Sequence, residues 1–298
     1  MGGMPSKSPS SSAIGVVTVS FASDAVLPTF LATIPAASSH PLTVIVADNK
    51  PDDGTISRVV RAAGFEYLPM KSNLGYGGAI NAAVRALPRD VEWLVIGNPD
   101  VTVEAGAIDL MISRAQSDAR IALVGPQIVG VGGVVYPSAR SIPSLRTGIG
   151  HALFANVWPN NPWSRAYHNE ASAEGARATG WLSGAFFLAR RSAFEDLGGF
   201  DEHFFMYFED VDLGYRLGRA GWLNVYEPAA KVVHTGAHST ATDSGAMTKE
   251  HHRSARKFLS RKYSGWYLWP VRAVVSLGLL LRLSFVSNRR RGSGRSTH

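Results

Sequence analysis

Apolar residues in the first hundred positions gather in short runs that polar turn residues separate. Three runs are rich in Val and Ile and predict buried β-strands: IGVVTVS (14–20), LTVIVAD (42–48) and EWLVIGN (92–98). A weaker run, FEYLPM (65–70), predicts a fourth strand. The pattern between and after them favours helices at about 25–36, 54–63, 77–87 and 104–117. Strand and helix therefore alternate four times, which predicts an α/β fold with a mainly parallel sheet flanked by helices.

The pattern of the following residues is less regular. Residues 137–178 are rich in Pro, Asn and Trp and predict a long loop, a kind of segment that often carries function. The apolar run 181–189 predicts a strand or a buried helix, and the acidic EDVD at 209–212 predicts a helix that ends near Ala220. Two short strands are predicted at WLNVYEP (222–228) and KVVH (231–234).

The composition is that of a globular protein. The 298 residues are 45% hydrophobic and 18% charged, which excludes wholesale disorder. There are no cysteines, so disulfides, thiolate metal sites and a catalytic Cys are excluded, and a reducing cytosol is a fitting location. We expect a Gly-, Pro- and Ser-rich disordered leader at 1–12, one α/β domain at 13–240 and a helical region with a basic tail at 241–298.

The net positive charge of the chain comes from its C-terminal region. Residues 249–298 hold 12 Lys and Arg against one acid, Glu250, whereas the first 248 residues hold 18 against 22 Asp and Glu, a net −4. Residues 263–286 place aromatics before aliphatics, and two arginines leave apolar stretches too short to span a bilayer. The pattern predicts an amphipathic helix on an anionic membrane surface. A helix packed on the body, followed by a solubilising tail, is the alternative.

Polar residues follow the last apolar position of each predicted strand. Ser20 closes the first strand, Asp48 the second and Asn98 the fourth, and Asn73 lies in the turn after the third. Because α/β sheets bind ligands at the carboxyl ends of their strands, these residues are candidates for one ligand site. The Asp48 carboxylate can accept the N3–H of uracil or thymine, a donor that adenine lacks. A plain surface turn is the alternative.

The motif NLGYGGAIN (73–81) places three glycines before a predicted helix, where backbone N–H groups can bind a phosphate. The G-x-G-x-x-G of a Rossmann dehydrogenase would follow the first strand. Here Gly75 and Gly77 follow the third strand and position 80 is Ile. Position and spacing therefore exclude the dehydrogenase.

The motif Asn98-Pro99-Asp100 holds two oxygen-bearing side chains on either side of a rigid proline. Mg²⁺ prefers carboxylate oxygen and keeps positions for substrate phosphates and water. His234, at the end of KVVH, is a candidate second ligand if the ion is Mn²⁺ or Mg²⁺. An Asx turn at Asp100 and a structural His234 are the alternatives.

The segment FDEHFFMYFEDVDLGYRLG (200–218) holds five acidic residues among aromatics. In a helix that begins near Glu209, Glu209 and Asp212 share a face and Asp210 points elsewhere. Acids in a first helical turn also suit the helix dipole, which is the alternative explanation. A carboxylate framed by the aromatics at 204–208 should be desolvated, which raises its pKa and improves it as a base. Asp210 is the candidate general base.

Taken in order, these elements resemble glycosyltransferase family 2, inverting enzymes with the GT-A fold. The matching motifs cover about residues 14–240: VTVSF, ADN, NLGYGGAIN, NPD, GWLSGAFFLARR and GGFDEHFFMYFEDVDLGYRLGRAGW. NPD departs from the DxD of the family because Asn98 replaces the first Asp, and a neutral amide binds a divalent ion less strongly. More narrowly, VYPSARSIPS (135–144), NPW (161–163) and HTGAHST (234–240) resemble the family's rhamnosyltransferases of the arabinogalactan linker in cell-wall biogenesis.

The resemblance implies a role for each candidate residue and makes 13–240 the GT-A domain. The donor nucleotide would be bound by Ser20, Asp48, Asn73, Gly75 and Asn98. Mg²⁺ or Mn²⁺ would be held by Asp100 and His234, and Asp210 would be the catalytic base. The sugar and acceptor pocket would include Arg140, Trp181, Ser183, Gly184, Glu209 and Asp212.

The implied reaction moves L-rhamnose from dTDP-β-L-rhamnose to N-acetylglucosaminyl-diphosphoryl-polyprenol, with inversion and an α-1,3 linkage. The expected partners are the dTDP-sugar, the polyprenyl-diphosphate acceptor and an anionic membrane, with the protein cytoplasmic at the inner face of the plasma membrane; a homo-oligomer stays open. Another donor, such as UDP-galactofuranose, is the alternative. A nucleic-acid-binding protein should carry positive charge on its body too, and the net −4 there argues against it.

Overall fold

A computed structural model of the chain describes residues 13–51, 54–144, 175–236, 244–270 and 273. The leader predicted at 1–12, most of the loop predicted at 137–178 and most of the basic tail lie outside these residues. The first elements are β1 (Ala13–Ser20), α1 (Leu27–Thr33), β2 (Leu42–Asp48), α2 (Thr55–Ala62), β3 (Glu66–Pro69), α3 (Gly75–Ala86) and β4 (Val91–Gly97). They are followed by β5 (Val101–Val103), α4 (Ala107–Gln116), β6 (Ile121–Gly130), β7 (Val135–Tyr136) and β8 (Ala139–Arg140). The rest are β9 (Arg177–Thr179), β10 (Trp181–Leu182), β11 (Phe186–Arg190), α5 (Arg191–Asp196), α6 (Glu209–Arg219), β12 (Leu223–His234) and α7 (Ser244–Lys262).

The central sheet has the strand order β3-β2-β1-β4-β11-β6-β12-β5. β3, β2, β1 and β4 run parallel, as the alternating pattern predicts. β11 runs antiparallel to both its neighbours, and β12 runs parallel to β6. The sheet is therefore mainly parallel, and the carboxyl ends of β1, β2, β4 and β12 share one edge.

Both faces of the sheet are covered by helices. Along β1, Ile14 and Val16 pack on one side with α1, α2 and α4. Val17 and Val19 pack on the other side with α3, α5 and α6. Because both faces are buried, the strands are continuous apolar runs without polar alternation.

The four predicted N-terminal strands and the helices between them are confirmed, with ends that differ by a few residues. The prediction of two short strands at 222–228 and 231–234 is wrong, because β12 is one strand whose pairing with β6 shifts between Glu227 and Lys231. β6 was not predicted, and its Gly125-Pro126 pair breaks an otherwise strand-like run. A Cβ at Gly125 would lie 2.5 Å from Leu182 Cδ2, so a larger residue there would force the buried Leu182 side chain to shift.

The C-terminal helix α7 packs on the α/β domain. Its Phe258 is fully buried against Phe204 and Val211, so the predicted C-terminal region begins as part of the domain's core. Beyond α7, Trp266, Tyr267 and Trp269 are exposed. None of the helices within the described ranges has the length and apolar character that crossing a bilayer requires.

Candidate active site

The predicted nucleotide-binding residues gather at the carboxyl edge of the sheet. Ser20 and Asp48 are direct partners at the last positions of β1 and β2. Asn98 follows β4, and its backbone N–H donates to the Ala185 carbonyl at 2.8 Å. The side-chain hydroxyl of Ser20 is buried and has no hydrogen-bond partner within the described part of the chain, which leaves it free for a ligand.

Asp48 is fully buried and held at both carboxylate oxygens. Oδ1 accepts from the Lys50 backbone N–H at 3.1 Å, and Oδ2 accepts from the Tyr67 hydroxyl at 2.9 Å. Tyr67 lies on β3, and its role was not predicted from the sequence. The only signal for it was its position on the strand beside Asp48.

The glycine-rich turn at the start of α3 is fixed by two asparagines. Asn73 Oδ1 accepts from the Gly75 N–H at 2.9 Å. Asn49 donates from Nδ2 to the Gly75 carbonyl at 2.9 Å and accepts from the Leu74 N–H at 3.2 Å. Gly75 has φ +73°, and a Cβ there would overlap the Phe205 carbonyl oxygen, so glycine is required.

Asp100 and His234 are brought together as the metal prediction requires. Asp100 Oδ1 lies 3.1 Å from His234 Nε2, and their side chains are 11% and 21% exposed. Among the described residues no group of three or more His, Asp and Glu is arranged to hold a metal. One carboxylate and one imidazole fit a divalent ion that takes further ligands from a diphosphate and water.

Asp210 lies in the first turn of α6 and is partly exposed. Its Oδ2 accepts from the Gly184 N–H at 2.8 Å and its Oδ1 from the Val211 N–H at 2.8 Å. Burial raises the pKa of Asp210, while these hydrogen bonds and the charge of Arg140 act in the opposite direction. A raised pKa agrees with the desolvation expected from the sequence.

Tyr76 joins the start of α3 to this carboxylate. Its hydroxyl donates to the Gly184 carbonyl at 2.7 Å, so the Gly184 residue bridges Tyr76 and Asp210. The pKa of Tyr76 is raised well above its usual value by burial first and then by Glu209, Asp210 and Asp100, which keeps its hydroxyl protonated. This residue was part of the glycine motif but was not predicted as a site residue.

Glu209 is buried beside Asp210. Its Oε2 has no hydrogen-bond partner within the described residues. Burial, followed by the charge of Asp210, raises the pKa of Glu209 to about 8. The two neighbouring carboxyl groups therefore cannot both ionise freely near neutral pH.

Asp212 is placed differently from the prediction. It is fully buried, its Oδ2 accepts from Arg216 Nε at 2.6 Å, and its Oδ1 accepts from an Arg261 guanidinium nitrogen at 2.8 Å. Oδ2 is thus bound within α6 and Oδ1 joins α6 to α7, and the fully buried Asp212 does not line an open pocket. Glu209 and Asp212, which were expected on one face of the helix, are both buried, and the charge of Asp210 adds to the rise in the pKa of Glu209.

The remaining predicted pocket residues lie on β8, on β10 and in the turn that follows β10, whose Gly184 contacts Asp210. β8 and β10 pair at Arg140 and Trp181. The Arg140 guanidinium lies 5.7 Å from the Tyr136 ring centre and 5.9 Å from that of Trp181. The Ser183 N–H donates to the Ser138 carbonyl at 2.8 Å, which fixes the turn that presents Gly184.

Comparisons with known proteins show the family of the chain. A family model described as "Glycosyltransferase like family 2" matches residues 10–256. The N-acetylglucosaminyl-diphospho-decaprenol L-rhamnosyltransferase of Mycobacterium tuberculosis is 43% identical over 277 residues, 90% of each chain. Rhamnosyltransferase WbbL of Escherichia coli K12 is 25% identical over 257 residues, which covers 83% of this chain and 92% of the relative.

Solved structures confirm the GT-A fold. Mannosyltransferase PcManGT from Pyrobaculum calidifontis, in complex with GDP-Man and Mn²⁺, is similar with a TM-score of 0.59 at 14% identity, over 96% of this chain and 76% of that one. GalNAc-T7 with UDP, GalNAc and Mn²⁺ is similar with a TM-score of 0.58 at 13% identity, over 83% of this chain and 48% of that one.

Proposed function

The chain belongs to glycosyltransferase family 2, and we propose that it transfers L-rhamnose from dTDP-β-L-rhamnose to N-acetylglucosaminyl-diphosphoryl-polyprenol with inversion, through an α-1,3 linkage. The sugar and the acceptor class rest on the name of the Mycobacterium tuberculosis relative at 43% identity. The mechanism rests on one observation: Asp210 is a partly exposed carboxylate of raised pKa, oriented by the Gly184 N–H.

In the proposed reaction Asp210 accepts the proton of the acceptor hydroxyl. The oxygen then forms a bond to the anomeric carbon of the donor sugar while the bond from that carbon to the nucleotide diphosphate breaks on the opposite face. One displacement inverts the configuration, so a β-linked donor gives an α-linked product. A raised pKa makes Asp210 a stronger base than an exposed Asp, which favours proton removal in the transition state.

The donor diphosphate would lie between the glycine-rich turn and the pair Asp100 and His234. These two residues would hold Mg²⁺ or Mn²⁺, which supplies positive charge to neutralise the leaving diphosphate. Asp48 would accept the N3–H of the thymine base, with Tyr67 and Lys50 fixing the carboxylate that does so. Asn98 would contact the ribose or water.

We also propose that the protein binds the inner face of the plasma membrane, where a polyprenyl acceptor lies. The support is the exposed aromatic group of Trp266, Tyr267 and Trp269, which directly follows α7, together with the six arginines and no Asp or Glu after residue 262. Exposed aromatics and basic residues suit an interface with anionic lipid headgroups.

The test is a transfer assay with the purified full chain, a membrane extract that contains polyprenyl-diphosphoryl-N-acetylglucosamine, Mg²⁺ and a panel of nucleotide sugars. We expect sugar to enter the lipid fraction from dTDP-rhamnose. Transfer from UDP-galactofuranose or another donor instead would overturn the rhamnose assignment and keep the mechanism. No transfer from any donor, with an active relative as positive control, would overturn the proposed activity.

A further inference from the structure

Residues 204–208 form the segment that leads into Asp210, and two of them are held in an unfavourable backbone conformation. Tyr207 and Phe208 have φ values of +67° and +68°, in the left-handed region that residues with a side chain rarely adopt. Phe208 is the residue before α6, so the conformation of this pair sets the direction in which Glu209 and Asp210 leave the segment. Such a conformation persists only when surrounding contacts hold it.

Helix α7 makes those contacts. Ser254, itself buried, donates from Oγ to the Met206 carbonyl at 2.9 Å. The His251 ring lies 5.5 Å from the Tyr207 ring and 5.3 Å from the Phe208 ring, between centroids. The fully buried Phe258 lies 5.8 Å from the Phe208 ring. Three successive residues of the segment are therefore held by one helix.

Arg261, in the last turn of α7, binds one residue that precedes this segment and one that follows it. One guanidinium nitrogen donates to Asp212 Oδ1 at 2.8 Å, and the other pairs with Asp201 Oδ2. Asp201 precedes the strained residues, and Asp212 follows Asp210 in the first turn of α6. A planar guanidinium can bridge two carboxylates in a fixed geometry, which a lysine ammonium cannot do equally well.

The opposite side of the segment contacts the start of α3, at the edge of the sheet where the nucleotide would bind. The Phe205 carbonyl accepts from the Tyr76 N–H at 3.1 Å, and Tyr76 in turn reaches the Gly184 carbonyl. The segment is thus held between α3 and α7, and its movement would change both the direction of Asp210 and the Gly184 hydrogen bond.

We propose that α7 is a positioning element for the catalytic base and that Arg261 is its main positioning residue. This inference rests on the proposed role of Asp210. Arg261 touches no reacting group in this scheme, since it acts through Asp201 and Asp212. Because the proposed membrane-binding aromatics directly follow α7, the same helix joins the membrane surface to the base.

The experiment compares Arg261→Gln with Arg256→Gln. Both variants remove one positive charge from α7, so any weaker attraction to an anionic membrane is common to both. Arg256 is exposed, so only Arg261→Gln should also disturb the position of Asp210. We expect Arg261→Gln to lower kcat by at least about tenfold with the donor KM changed less than about threefold, since a small misplacement of a catalytic group is costly. Arg261→Lys should recover part of kcat, and Arg256→Gln should stay within about twofold of the wild type. An equal kcat for Arg261→Gln and Arg256→Gln would overturn the proposal.

Hydrogen exchange tests the positioning without using activity. In Arg261→Gln we expect faster exchange in peptides that cover 204–211 and Gly184, with the strands β1 and β4 still protected. Exchange equal to that of Arg256→Gln would overturn the proposal even if the wild type transfers sugar. Faster exchange in a protein that transfers no sugar would instead overturn the proposed function alone. If Arg261→Gln does not fold, Ser254→Ala replaces it, with the same exchange pattern expected and an unchanged pattern counting against α7.

Discussion

The backbone N–H of Gly184 donates a 2.8 Å hydrogen bond to Oδ2 of Asp210, which lies 26 residues further along the chain. A side chain on residue 184 would place its Cβ 3.4 Å from that same oxygen, in contact with the carboxylate. The turn between β10 and β11 thus comes against the first turn of α6 at a glycine. A main-chain donor orients the carboxylate without adding a charge, and its hydrogen bond acts against the rise in the pKa of Asp210 that burial causes.

Replacement of Asp210 by Asn tests the base directly. Asn keeps the size of the side chain and an oxygen for the Gly184 N–H, but it cannot accept the acceptor's proton. We expect sugar transfer to fall by about 10²–10⁴-fold, the usual contribution of a general base, with donor affinity retained. The measurement is initial rate together with calorimetric donor binding. Asp196→Asn, at an exposed position at the end of α5, is the matched control and should keep full activity. Full activity in Asp210→Asn would move the assignment to Glu209.

The raised pKa of Glu209 predicts a pH-dependent stability. Its folded-state pKa of about 8 lies above the ordinary glutamate value of 4.5, so the folded protein holds a proton that the unfolded chain releases. The stability associated with this proton is complete below pH 4.5 and is lost as the pH rises through about 8. At about 1.4 kcal/mol per pKa unit, the loss is at most about 5 kcal/mol.

Glu209→Gln removes this titration, because the amide stays neutral. We therefore expect the difference in unfolding free energy between variant and wild type to shift in favour of the variant between pH 5 and pH 9. Urea unfolding at several pH values measures this difference, and Asp196→Asn should show no such trend. A parallel pH dependence in Glu209→Gln and the wild type would contradict the assignment of a buried protonated Glu209.

Much of the fold could be predicted because its strands are buried on both faces. Residues 14–20 and 42–48 are continuous Val- and Ile-rich runs, and parallel pairing requires the helices between them. The polar residues that follow these strands include the candidates Asp48 and Asp100. These residues lie at the edge where a parallel sheet binds ligands.

The rest of the site depends on contacts between distant segments, which local pattern does not encode. Asp212 and Asp210 are the same residue type two positions apart. They differ in their partners, because Asp212 is bound by Arg261, 49 residues further along the chain. Tyr67 contacts Asp48 only because β3 pairs with β2. Periodicity within a helix could place Glu209 and Asp212 on one face but could not show which partner each would meet.

Gly75→Ala tests the contact between the glycine-rich turn and the segment at 205. Gly75 and Gly64 both have positive φ, at +73° and +80°, but a Cβ at Gly64 meets nothing within 4 Å. Gly64→Ala should therefore cost only the backbone strain, about 1–2 kcal/mol of unfolding free energy. Gly75→Ala should cost more and should also weaken donor binding, because the added Cβ pushes against the Phe205 carbonyl. Thermal unfolding and nucleotide titration measure the two effects. Equal losses of stability, with unchanged nucleotide affinity, would contradict the packing of Gly75 on Phe205.

Asp100 and His234, whose side chains lie 3.1 Å apart, are the two protein ligands proposed for the divalent ion. The affinity of the protein for the ion should therefore depend on the oxygens of the bound nucleotide. Two side chains alone bind a divalent ion weakly, because most of its coordination positions must be filled by other oxygens. The affinity for Mn²⁺ should therefore rise when dTDP is present. His234→Gln should then weaken Mn²⁺ binding to the dTDP complex by about tenfold or more, by analogy with losses seen when outer-sphere partners alone are removed. Titration of free Mn²⁺ by electron paramagnetic resonance measures this, and His40→Gln, at an exposed position, should leave it unchanged. Equal Mn²⁺ affinity in wild type and His234→Gln would mean that His234 holds Asp100 in place without binding the ion.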